Sequence, residues 1–265
     1  LEMTDLSISI VNYNSRKDLI GCLESIKDQG QSPAGTVPTW VIDNASTESI
    51  RDLEEKYKWV DFIYNKINIG FGAANNIAIS RSDSKYHLVL NPDIRIKKQA
   101  IDELASFMEK NPDVGVAGPR LVYGDGKLQY SCRRFPTFTT FVSRGLFPEK
   151  KTKAMADYLM LDKDHNSGFD CDWVLGSCLM AKKCVLDGLK GFDESYFMYY
   201  EDIDLCYRAK KAGFRVAYDP SAEATHTYKR ESAGGLFNKL KYHHAASAMR
   251  FFAKYLGERK WGTFI

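Results

Sequence analysis

The sequence predicts an open α/β sheet, mostly parallel, with helices on its faces. Over the first 118 residues, stretches rich in β-branched residues alternate with stretches whose apolar residues repeat at helical spacing. The segments between the predicted strands are long enough for a helix, and such crossovers join parallel strands. The chain has 265 residues, 44% of them hydrophobic, and can therefore bury one large core.

The elements follow in order from the amino terminus. Ser15 precedes the first helical stretch and suits an N-cap, whereas Pro92 prevents the fourth strand from continuing. Strands are predicted over 6–11, 39–43, 61–65, 86–93 and 114–118, and helices over 15–29, 47–57, 70–81 and 97–110. After Gly118 the alternation loosens, which favours a lid or acceptor-binding section over a second full domain.

Charge and cysteine content exclude several classes of protein. The net charge of +3 gives no support for a nucleic-acid partner. The six cysteines show no metal-type spacing and indicate reduced thiols in a cytoplasmic protein. Because no apolar run is long enough to span a bilayer, we expect any membrane contact to be peripheral.

Polar residues follow several predicted strands, at the sheet edge where ligands bind in open α/β folds. These residues are Asn12, Tyr13 and Asn14 after the first strand, Asp43 and Asn44 after the second, and Asn91 and Asp93 after the fourth. For Asp43 two interpretations stay open. It either caps a turn or accepts a hydrogen bond from a pyrimidine base or a ribose hydroxyl.

The stretch "GFGAANN" (70–76) only superficially matches the dinucleotide fingerprint, because it follows the third strand and lacks the last glycine. A Rossmann-type oxidoreductase needs that fingerprint after the first strand, where "NYNSRKDL" stands instead. We therefore predict a helix N-terminus whose small residues, such as Gly70, let a nucleotide approach, with Asn75 or Asn76 as a polar contact.

Asp93 and His226 are candidate metal ligands. A loop aspartate is usually a turn residue and a lone histidine is usually structural. If both face one cleft, the carboxylate and imidazole together suit Mn²⁺ better than Mg²⁺.

Arg133 and Arg134 stand among aromatic residues, and adjacent guanidinium groups make a good clamp for phosphate oxygens, although both could be plain surface charges. Trp173 is either part of the core or a stacking platform for a sugar.

The ordered set of motifs resembles family 2 glycosyltransferases of the GT-A fold, and within them the bacterial rhamnosyltransferases that act on polyprenyl-linked sugars. The motifs are "VNYNS", "VIDNAS", "NIGFGAANN", "LNPD", "RRFP", "DWVLGSCLM", "GFDESYFMYYEDIDLCYRAKKAGF" and the later His226. The resemblance runs from about Leu6 to His226. The family's metal motif is often Asp-x-Asp, whereas Asn91 stands at its first position here, which leaves fewer carboxylate ligands.

The resemblance implies an inverting transferase that uses a nucleotide sugar and a divalent metal, Mn²⁺ or Mg²⁺. It implies that Asp43 contacts the base, that Asp93 binds metal and diphosphate, that His226 ligates the metal, and that an acid of "ED" (201–202) is the catalytic base. Residues 3–228 would form the GT-A domain, with a nucleotide-binding half (about 3–118) and an acceptor-binding half (about 119–228). Arg133, Arg134, Trp173 and Asp193 would lie on the acceptor or diphosphate side.

The preferred reaction is transfer of L-rhamnose from dTDP-rhamnose to a polyprenyl-diphosphate-linked sugar such as GlcNAc, in bacterial cell-surface polysaccharide assembly. The alternatives are another donor (a UDP-hexose, UDP-GlcNAc or UDP-galactofuranose) or a non-catalytic module that binds sugar nucleotides or glycans. Loss of the acids or the histidine would favour the module, yet Asp93, Asp202 and His226 are all present.

Helical spacing separates the three acids of "EDID" (201–204), in a helix predicted to start near Glu201 and to end before Gly213. Asp204 precedes Arg208 by four residues, which predicts an exposed structural pair and a mild effect of Asp204→Asn. Asp202 shares a face with small apolar residues, and the helix dipole favours its ionised form, as a base requires. Glu201 is the competing candidate.

The C-terminal segment 229–265 is basic and helical by pattern. Between Lys229 and Lys260 there are eight Lys or Arg and two Glu, a net charge of +6. One helical face carries Phe237, Leu240, His244, Ala248, Phe251 and Tyr255. That face predicts a helix docked on the protein, a helix lying on the anionic inner face of the bacterial plasma membrane, or both.

Overall fold

The structure is a computed structural model that describes residues 5–29, 37–141, 152–227 and 239–255. The strands are β1 Leu6–Asn12, β2 Thr39–Asp43, β3 Val60–Tyr64, β4 Tyr86–Leu90, β5 Ile94–Ile96, β6 Val114–Tyr123, β7 Leu128–Gln129, β8 Cys132–Arg133, β9 Phe169–Cys171, β10 Trp173–Val174, β11 Cys178–Lys182 and β12 Arg215–His226. The helices are α1 Arg16–Lys27, α2 Leu53–Lys56, α3 Phe71–Ile79, α4 Ala100–Lys110, α5 Lys153–Tyr158, α6 Lys183–Leu189, α7 Glu201–Lys211 and α8 Lys239–Lys254.

A ten-stranded mixed sheet runs through the molecule, in the order β3-β2-β1-β4-β11-β6-β12-β5, with β7 and β9 attached at its side. The strands β3, β2, β1 and β4 are parallel, as predicted. β11 is antiparallel to both β4 and β6, and β5 is antiparallel to β12. Because β6 and β12 again run parallel, the carboxyl ends of β1, β2, β4 and β12 meet at one edge.

Helices cover both faces of the sheet, as expected for an α/β fold. On one face, α1 packs on β5 and α4 on β6 and β12, and they bury Leu19, Leu23 and Leu104 in one cluster with residues of β1 and β4. On the other face, α3 packs against β1 and β2, α6 against β11, α7 against β12, and α8 against α7. The residues after Gly118 therefore complete the same sheet that the first half begins.

Two predicted elements differ from the structure. The helix predicted over 47–57 is reduced to α2, because Asn14 Oδ1 accepts hydrogen bonds from the backbone N–H and hydroxyl of Thr47 and holds that stretch as a loop. The strand predicted over 86–93 ends at Leu90. After a turn at Pro92 the chain continues as β5, which pairs with β12 instead of β1.

The C-terminal helix docks on the protein through its predicted apolar face. Ala248, Phe251 and Tyr255 are buried, whereas Phe237 lies outside the described residues. Protein therefore covers these three residues of that face, as the docked alternative predicts. No helix among the described residues is long and apolar enough to cross a bilayer. All six cysteines are free thiols, and only Cys184 is exposed.

Candidate active site

The candidate site lies at the edge of the sheet where β1, β2, β4 and β12 end and where β11 begins. Buried polar atoms without a hydrogen-bond partner gather there. Within the described ranges these include Asn12 Oδ1, Asp93 Oδ1, Ser177 Oγ and Glu201 Oε2. Such atoms destabilise a fold unless a ligand or water satisfies them, so their clustering indicates a binding cleft.

Asp43 is a buried carboxylate whose orientation is fixed by its neighbours. Its Oδ1 accepts hydrogen bonds from Asn12 Nδ2 at 2.8 Å and from Ser46 Oγ at 2.6 Å. Its Oδ2 accepts a longer bond from the backbone N–H of Ser46 at 3.2 Å. Each interpretation of Asp43 survives, because the carboxylate organises the turn and retains acceptor capacity beside Asn12 Oδ1.

The two residues after Asn12 are exposed but differ in use. Tyr13 is 46% exposed beside the cleft. Asn14 has a left-handed backbone (φ 52°) and is bonded through its side chain to Thr47. It therefore joins the loops that follow β1 and β2, while the Tyr13 ring is available to a ligand.

Asn44 serves the fold. Its Nδ2 donates to Asn68 Oδ1 and to the carbonyl of Gly70, and its Oδ1 accepts from Asn65 Nδ2 and from the N–H of Ile69. Both donors and both acceptor positions of the amide are used. Asn44 thus organises the loop over 65–70 and has no free polar group for a nucleotide.

The "GFGAANN" stretch also proves to pack against the protein itself. Gly70 has φ +90°, and a Cβ there would lie 2.4 Å from the carbonyl oxygen of Phe197. Asn75 is fully buried, bonded to Ser9 Oγ and to the carbonyl of Phe71. Asn76 donates to the carbonyl of Phe192 and accepts from its N–H. The small residues let the chain around 192–197 approach closely. The contacts of this stretch therefore serve packing within the protein, whereas the sequence predicted the approach of a nucleotide.

Asp93 and His226, distant in sequence, meet at the cleft. His226 Nε2 lies 3.2 Å from Asp93 Oδ2, and its Nδ1 is within hydrogen-bond distance of Gln129 Oε1, at 2.8 Å. A proton on Nδ1, donated to Gln129, would leave the Nε2 lone pair for a metal ion beside the carboxylate. The backbone and hydroxyl of Thr227 both bond to the carbonyl of Asp93 and lock the pair together.

This pair fits a divalent cation. Asp93 Oδ1 is buried without a hydrogen bond, and the contact with Gln129 orients the imidazole so that its Nε2 faces Asp93. No group of three or more His, Cys, Asp or Glu side chains in the described part of the chain could hold a metal alone. A cation here would take further oxygen ligands from a bound diphosphate, as Mg²⁺ and Mn²⁺ commonly do. Asn91 is fixed nearby through its backbone N–H, which donates to the carbonyl of Ser177 at 2.8 Å.

Asp202 and Glu201 begin α7 in different environments. Asp202 is half-buried, and its carboxylate accepts bonds from the backbone N–H groups of Gly176 at 2.9 Å and of Ile203 at 2.8 Å. Burial raises the pKa of Asp202, whereas those two N–H groups and the charge of Arg133 oppose the rise. Glu201 is only 6% exposed. Burial and the neighbouring Asp202 charge raise the pKa of Glu201 well above its ordinary value.

The backbone before α7 is strained. Tyr199 and Tyr200 have φ values of 68° and 69°, a left-handed conformation that is unfavourable for aromatic residues. Such strain persists only where surrounding contacts impose it, and it is commonest at functional sites. It turns the chain so that α7 begins with its two acids at the cleft.

Arg133 and Arg134 have different partners. Arg133 lies over the rings of Tyr158 and Trp173 and close enough to Asp202 to affect its pKa. Arg134 is exposed and forms an ion pair with Asp162 at 3.0 Å. Arg133 can therefore face an anionic ligand, but the two do not form a joint clamp. Trp173 is 3% exposed and donates to the carbonyl of Arg134, so it belongs to the core and is not a sugar platform.

Asp193 and Asp204 bind the C-terminal helix. Lys254 Nζ lies 2.7 Å from Asp193 Oδ2 and 2.7 Å from Asp204 Oδ1. The predicted pair of Asp204 with Arg208 is present at 2.6 Å, but Asp204 is fully buried and the expected exposure is wrong. Its buried position follows from α8, whose Tyr255 hydroxyl also donates to it.

Three residues at the site had not been singled out from the sequence. Gln129 fixes the imidazole of His226, and Gly176 and Ser177 link Asp202 to Asn91 through backbone bonds. A Cβ on Gly176 would lie 3.1 Å from Asp202 Cβ, so a small residue is needed there. The motif "DWVLGSC" (172–178) contained a signal for Gly176 and Ser177, whereas Gln129 had none.

Comparison with known proteins places these features in a family. The model of "Glycosyl transferase family 2" matches residues 7–171, more than half of the 265-residue chain. The rhamnosyltransferase WbbL of Escherichia coli is 30% identical over 225 residues, covering 81% of this chain and 81% of that protein. The N-acetylglucosaminyl-diphospho-decaprenol L-rhamnosyltransferase of Mycobacterium tuberculosis is 27% identical over 259 residues, covering 92% of this chain and 83% of that one.

Solved structures show the same fold. The crystal structure of GalNAc-T7 with UDP, GalNAc and Mn²⁺ matches 86% of this chain with a TM-score of 0.67 and 15% sequence identity. This chain spans 44% of the length of that one. At this identity the likeness shows the architecture alone, and it confirms the predicted GT-A fold.

Proposed function

The chain belongs to glycosyl transferase family 2, and from that premise we propose that it is an inverting rhamnosyltransferase. Its donor would be dTDP-L-rhamnose, and its acceptor a sugar such as GlcNAc on a polyprenyl diphosphate. The observation that carries the proposal is the Asp93–His226 pair, which lies at the same edge of the sheet as the buried Asp43 and the Gly176–Asp202 bond, with four unsatisfied polar atoms at that edge.

The ends of β1 and β2 would hold the nucleotide. The Asp43 carboxylate, oriented by Asn12 and Ser46, would accept the N3–H of a thymine or uracil base. Tyr13, exposed next to it, would cover the base. This arrangement explains a pyrimidine nucleotide and does not by itself distinguish dTDP from UDP.

A divalent cation, Mn²⁺ or Mg²⁺, would be held by Asp93 and His226. When bound there, it would neutralise the negative charge that develops on the leaving diphosphate. Arg133 adds a positive charge close to Asp202.

Asp202 would be the base of a single displacement. The acceptor hydroxyl oxygen bonds to the anomeric carbon, the bond between that carbon and the diphosphate oxygen breaks, and the hydroxyl proton passes to Asp202. The configuration inverts because the attack comes from the face opposite the leaving group. Glu201, whose pKa is raised by burial and by the Asp202 charge, would stabilise the fold or orient the acceptor.

The names of two relatives support the choice of donor and acceptor. Both the Escherichia coli and the Mycobacterium tuberculosis proteins are rhamnosyltransferases, and the latter is named for an N-acetylglucosaminyl-diphospho-decaprenol acceptor. A glycan-binding module without catalysis is the second candidate, but nothing in such a module needs a carboxylate held by Gly176 at the mouth of the cleft.

A donor screen tests the proposal. Purified protein would be incubated with Mn²⁺, a GlcNAc-diphosphate-lipid analogue and, in separate reactions, dTDP-rhamnose, UDP-glucose, UDP-GlcNAc or UDP-galactofuranose. We expect a transfer product only with dTDP-rhamnose, with inverted anomeric configuration by NMR. Transfer only from another donor would overturn the rhamnose assignment, and binding without any turnover would favour the non-catalytic module.

We also propose that the protein works at the cytoplasmic face of a bacterial plasma membrane, where a lipid-linked acceptor would reside. Since the apolar face predicted for α8 is buried, lipid contact falls to the opposite face. There Tyr242 is 73% exposed and Met249 is 69% exposed, with Lys241 and Arg250 exposed on either side. Exposed apolar side chains flanked by cations suit an anionic lipid surface.

A further inference from the structure

Helix α8 contacts each residue of the strained segment before the two acids. Ser247 Oγ donates to the carbonyl of Met198 at 2.8 Å. The ring of His243 stacks on Phe197 with a centroid distance of 4.7 Å. The ring of His244 lies 5.3 Å from that of Tyr199 and 5.5 Å from that of Tyr200.

Lys254 ties the two ends of the same region together. Its ammonium group bridges Asp193, before the strained turn, and Asp204, inside α7. Burial alone would raise the pKa of Asp193, but hydrogen bonds from Lys254 and Ser195 lower it to about 2, as expected for a firmly held ion pair.

Helix α3 holds the opposite side. The N–H of Phe71 donates to the carbonyl of Phe197 at 3.0 Å, and Asn76 is bonded to Phe192 through both donor and acceptor. The segment 192–200 therefore lies between α3 and α8. Two consecutive left-handed tyrosines require such support, since the conformation is unfavourable by itself.

We propose that Ser247 and Lys254 are positioning residues, through which the C-terminal helix holds segment 193–204 so that Asp202 meets the Gly176 N–H. This inference rests on the proposed role of Asp202 as the base. Ser247 and Lys254 contact Met198, Asp193 and Asp204, whereas the nucleotide is assigned to Asn12 and Asp43 at the ends of β1 and β2. Loss of α8 contacts should therefore slow the chemical step and leave donor binding intact.

The test compares full-length Lys254→Met, Lys254→Arg and Ser247→Ala proteins with the parent, using a water-soluble acceptor so that membrane binding plays no part. Misplacement of a catalytic group by about 1 Å lowers rates by up to about 100-fold, so we expect Lys254→Met to lower kcat by about 10-fold or more. Lys254→Arg should restore most of kcat, because it keeps the cation between the two carboxylates. Ser247→Ala should lower kcat a few-fold, and the KM for the donor should stay within about twofold throughout.

Lys58→Met is the matched control, because it removes the same charge at a side chain that is 80% exposed and lies outside α8 and the segment; it should behave like the parent. A folded Lys254→Met protein with parental kcat, or one whose donor KM rises as kcat falls, would overturn the inference. If Lys254→Met does not fold, Ser247→Ala decides between the same outcomes. Full activity of Asp202→Asn would instead refute the assignment of the base, and so separates that failure from a failure of the positioning role.

Discussion

At the scale of single residues, the two acids that open α7 differ in the contacts that affect their pKa values. Asp202 receives two backbone N–H bonds that favour its carboxylate, whereas Glu201 Oε2 is buried without a partner. We expect Asp202→Asn to lower kcat by roughly 100-fold to 10,000-fold, the range for loss of a general base, with donor affinity unchanged by calorimetry. Glu201→Gln removes an acid that lacks those backbone N–H bonds and should have a much smaller effect. The reverse pattern would make Glu201 the base.

A second residue, His87, predicts a pH dependence of stability. Its ring is buried between Ser7 and Ser9, 2.8 Å and 2.9 Å from their hydroxyls. Burial lowers the pKa of His87 to about 3, with a smaller contribution from Lys183. The unfolded chain therefore binds a proton at His87 below about pH 6.5, whereas the folded protein binds one only near pH 3. The contribution of this group to the free energy of unfolding is complete above about pH 6.5 and is lost as the pH falls toward 3.

The check is urea unfolding of the parent and His87→Gln between pH 7 and pH 4. His87→Gln should be less stable than the parent at pH 7, because it disturbs the serine network. The gap should narrow by up to about 1.4 kcal/mol per pH unit below 6.5, since glutamine does not titrate. A gap that stays constant across this range would show that His87 is not the titrating group.

At the scale of elements, the start of α3 depends on a glycine for two separable reasons. Gly70 has φ +90° and lies against the Phe197 carbonyl, whereas Gly126 has φ +81° and a Cβ added there would meet nothing within 4 Å. Gly126→Ala should therefore cost about 1 kcal/mol of unfolding free energy, from the left-handed backbone alone. Gly70→Ala adds a backbone clash and should cost clearly more, with a fall in kcat because the segment before α7 shifts. If Gly70→Ala and Gly126→Ala lower the midpoint of thermal unfolding equally, the close contact with Phe197 does not matter to stability.

The joint between α7 and α8 corrects the expectation for Asp204. Its buried carboxylate accepts bonds from Arg208, Lys254 and the hydroxyls of Tyr196 and Tyr255. Removing one partner of a buried ion pair commonly costs about 3–5 kcal/mol, so Asp204→Asn should strongly lower the free energy of unfolding.

The matched control is Asp187→Asn, which breaks another pair of spacing four, that of Lys183 with an Asp187 side chain that is 58% exposed. Exposed pairs contribute about 0–1 kcal/mol, so chemical denaturation should show almost no change for this variant. Comparable losses for the two variants would show that burial of Asp204 in the α7–α8 joint does not matter to stability.

At the scale of the whole molecule, the sequence predicted what depends on local pattern. The parallel order of the first strands, the bounds of α7 and the buried face of α8 follow from periodicity and helix stops, and all are present. Contacts between distant segments carry no such signal. No local sequence pattern predicted that the side-chain amides of Asn44 and Asn75 would form hydrogen bonds within the protein. None predicted that Gln129 would orient His226 or that α8 would bury Asp204. Polarity at a strand end identifies the cleft but does not reveal which polar atoms remain free in it.

The outward face of α8 supports the last prediction, concerning the membrane. Tyr242 and Met249 lie two turns apart on one exposed stripe, with Lys241 and Arg250 beside it. Each basic residue near an anionic surface contributes about 1 kcal/mol. Combined Lys241→Glu and Arg250→Glu substitutions should therefore strongly weaken sedimentation with phosphatidylglycerol vesicles, and so should added salt.

Phosphatidylcholine vesicles should bind little of any form, because they lack the negative charge. Lys58→Glu with Lys127→Glu makes the same change of net charge at exposed positions elsewhere and should bind like the parent. Segment 193–204, which carries the proposed base, packs on the opposite face of α8. The substitutions on the outer face should therefore leave transfer to a water-soluble acceptor unchanged and slow transfer to a vesicle-bound acceptor. Equal loss on both acceptors would mean that the outer face supports the fold and not the membrane.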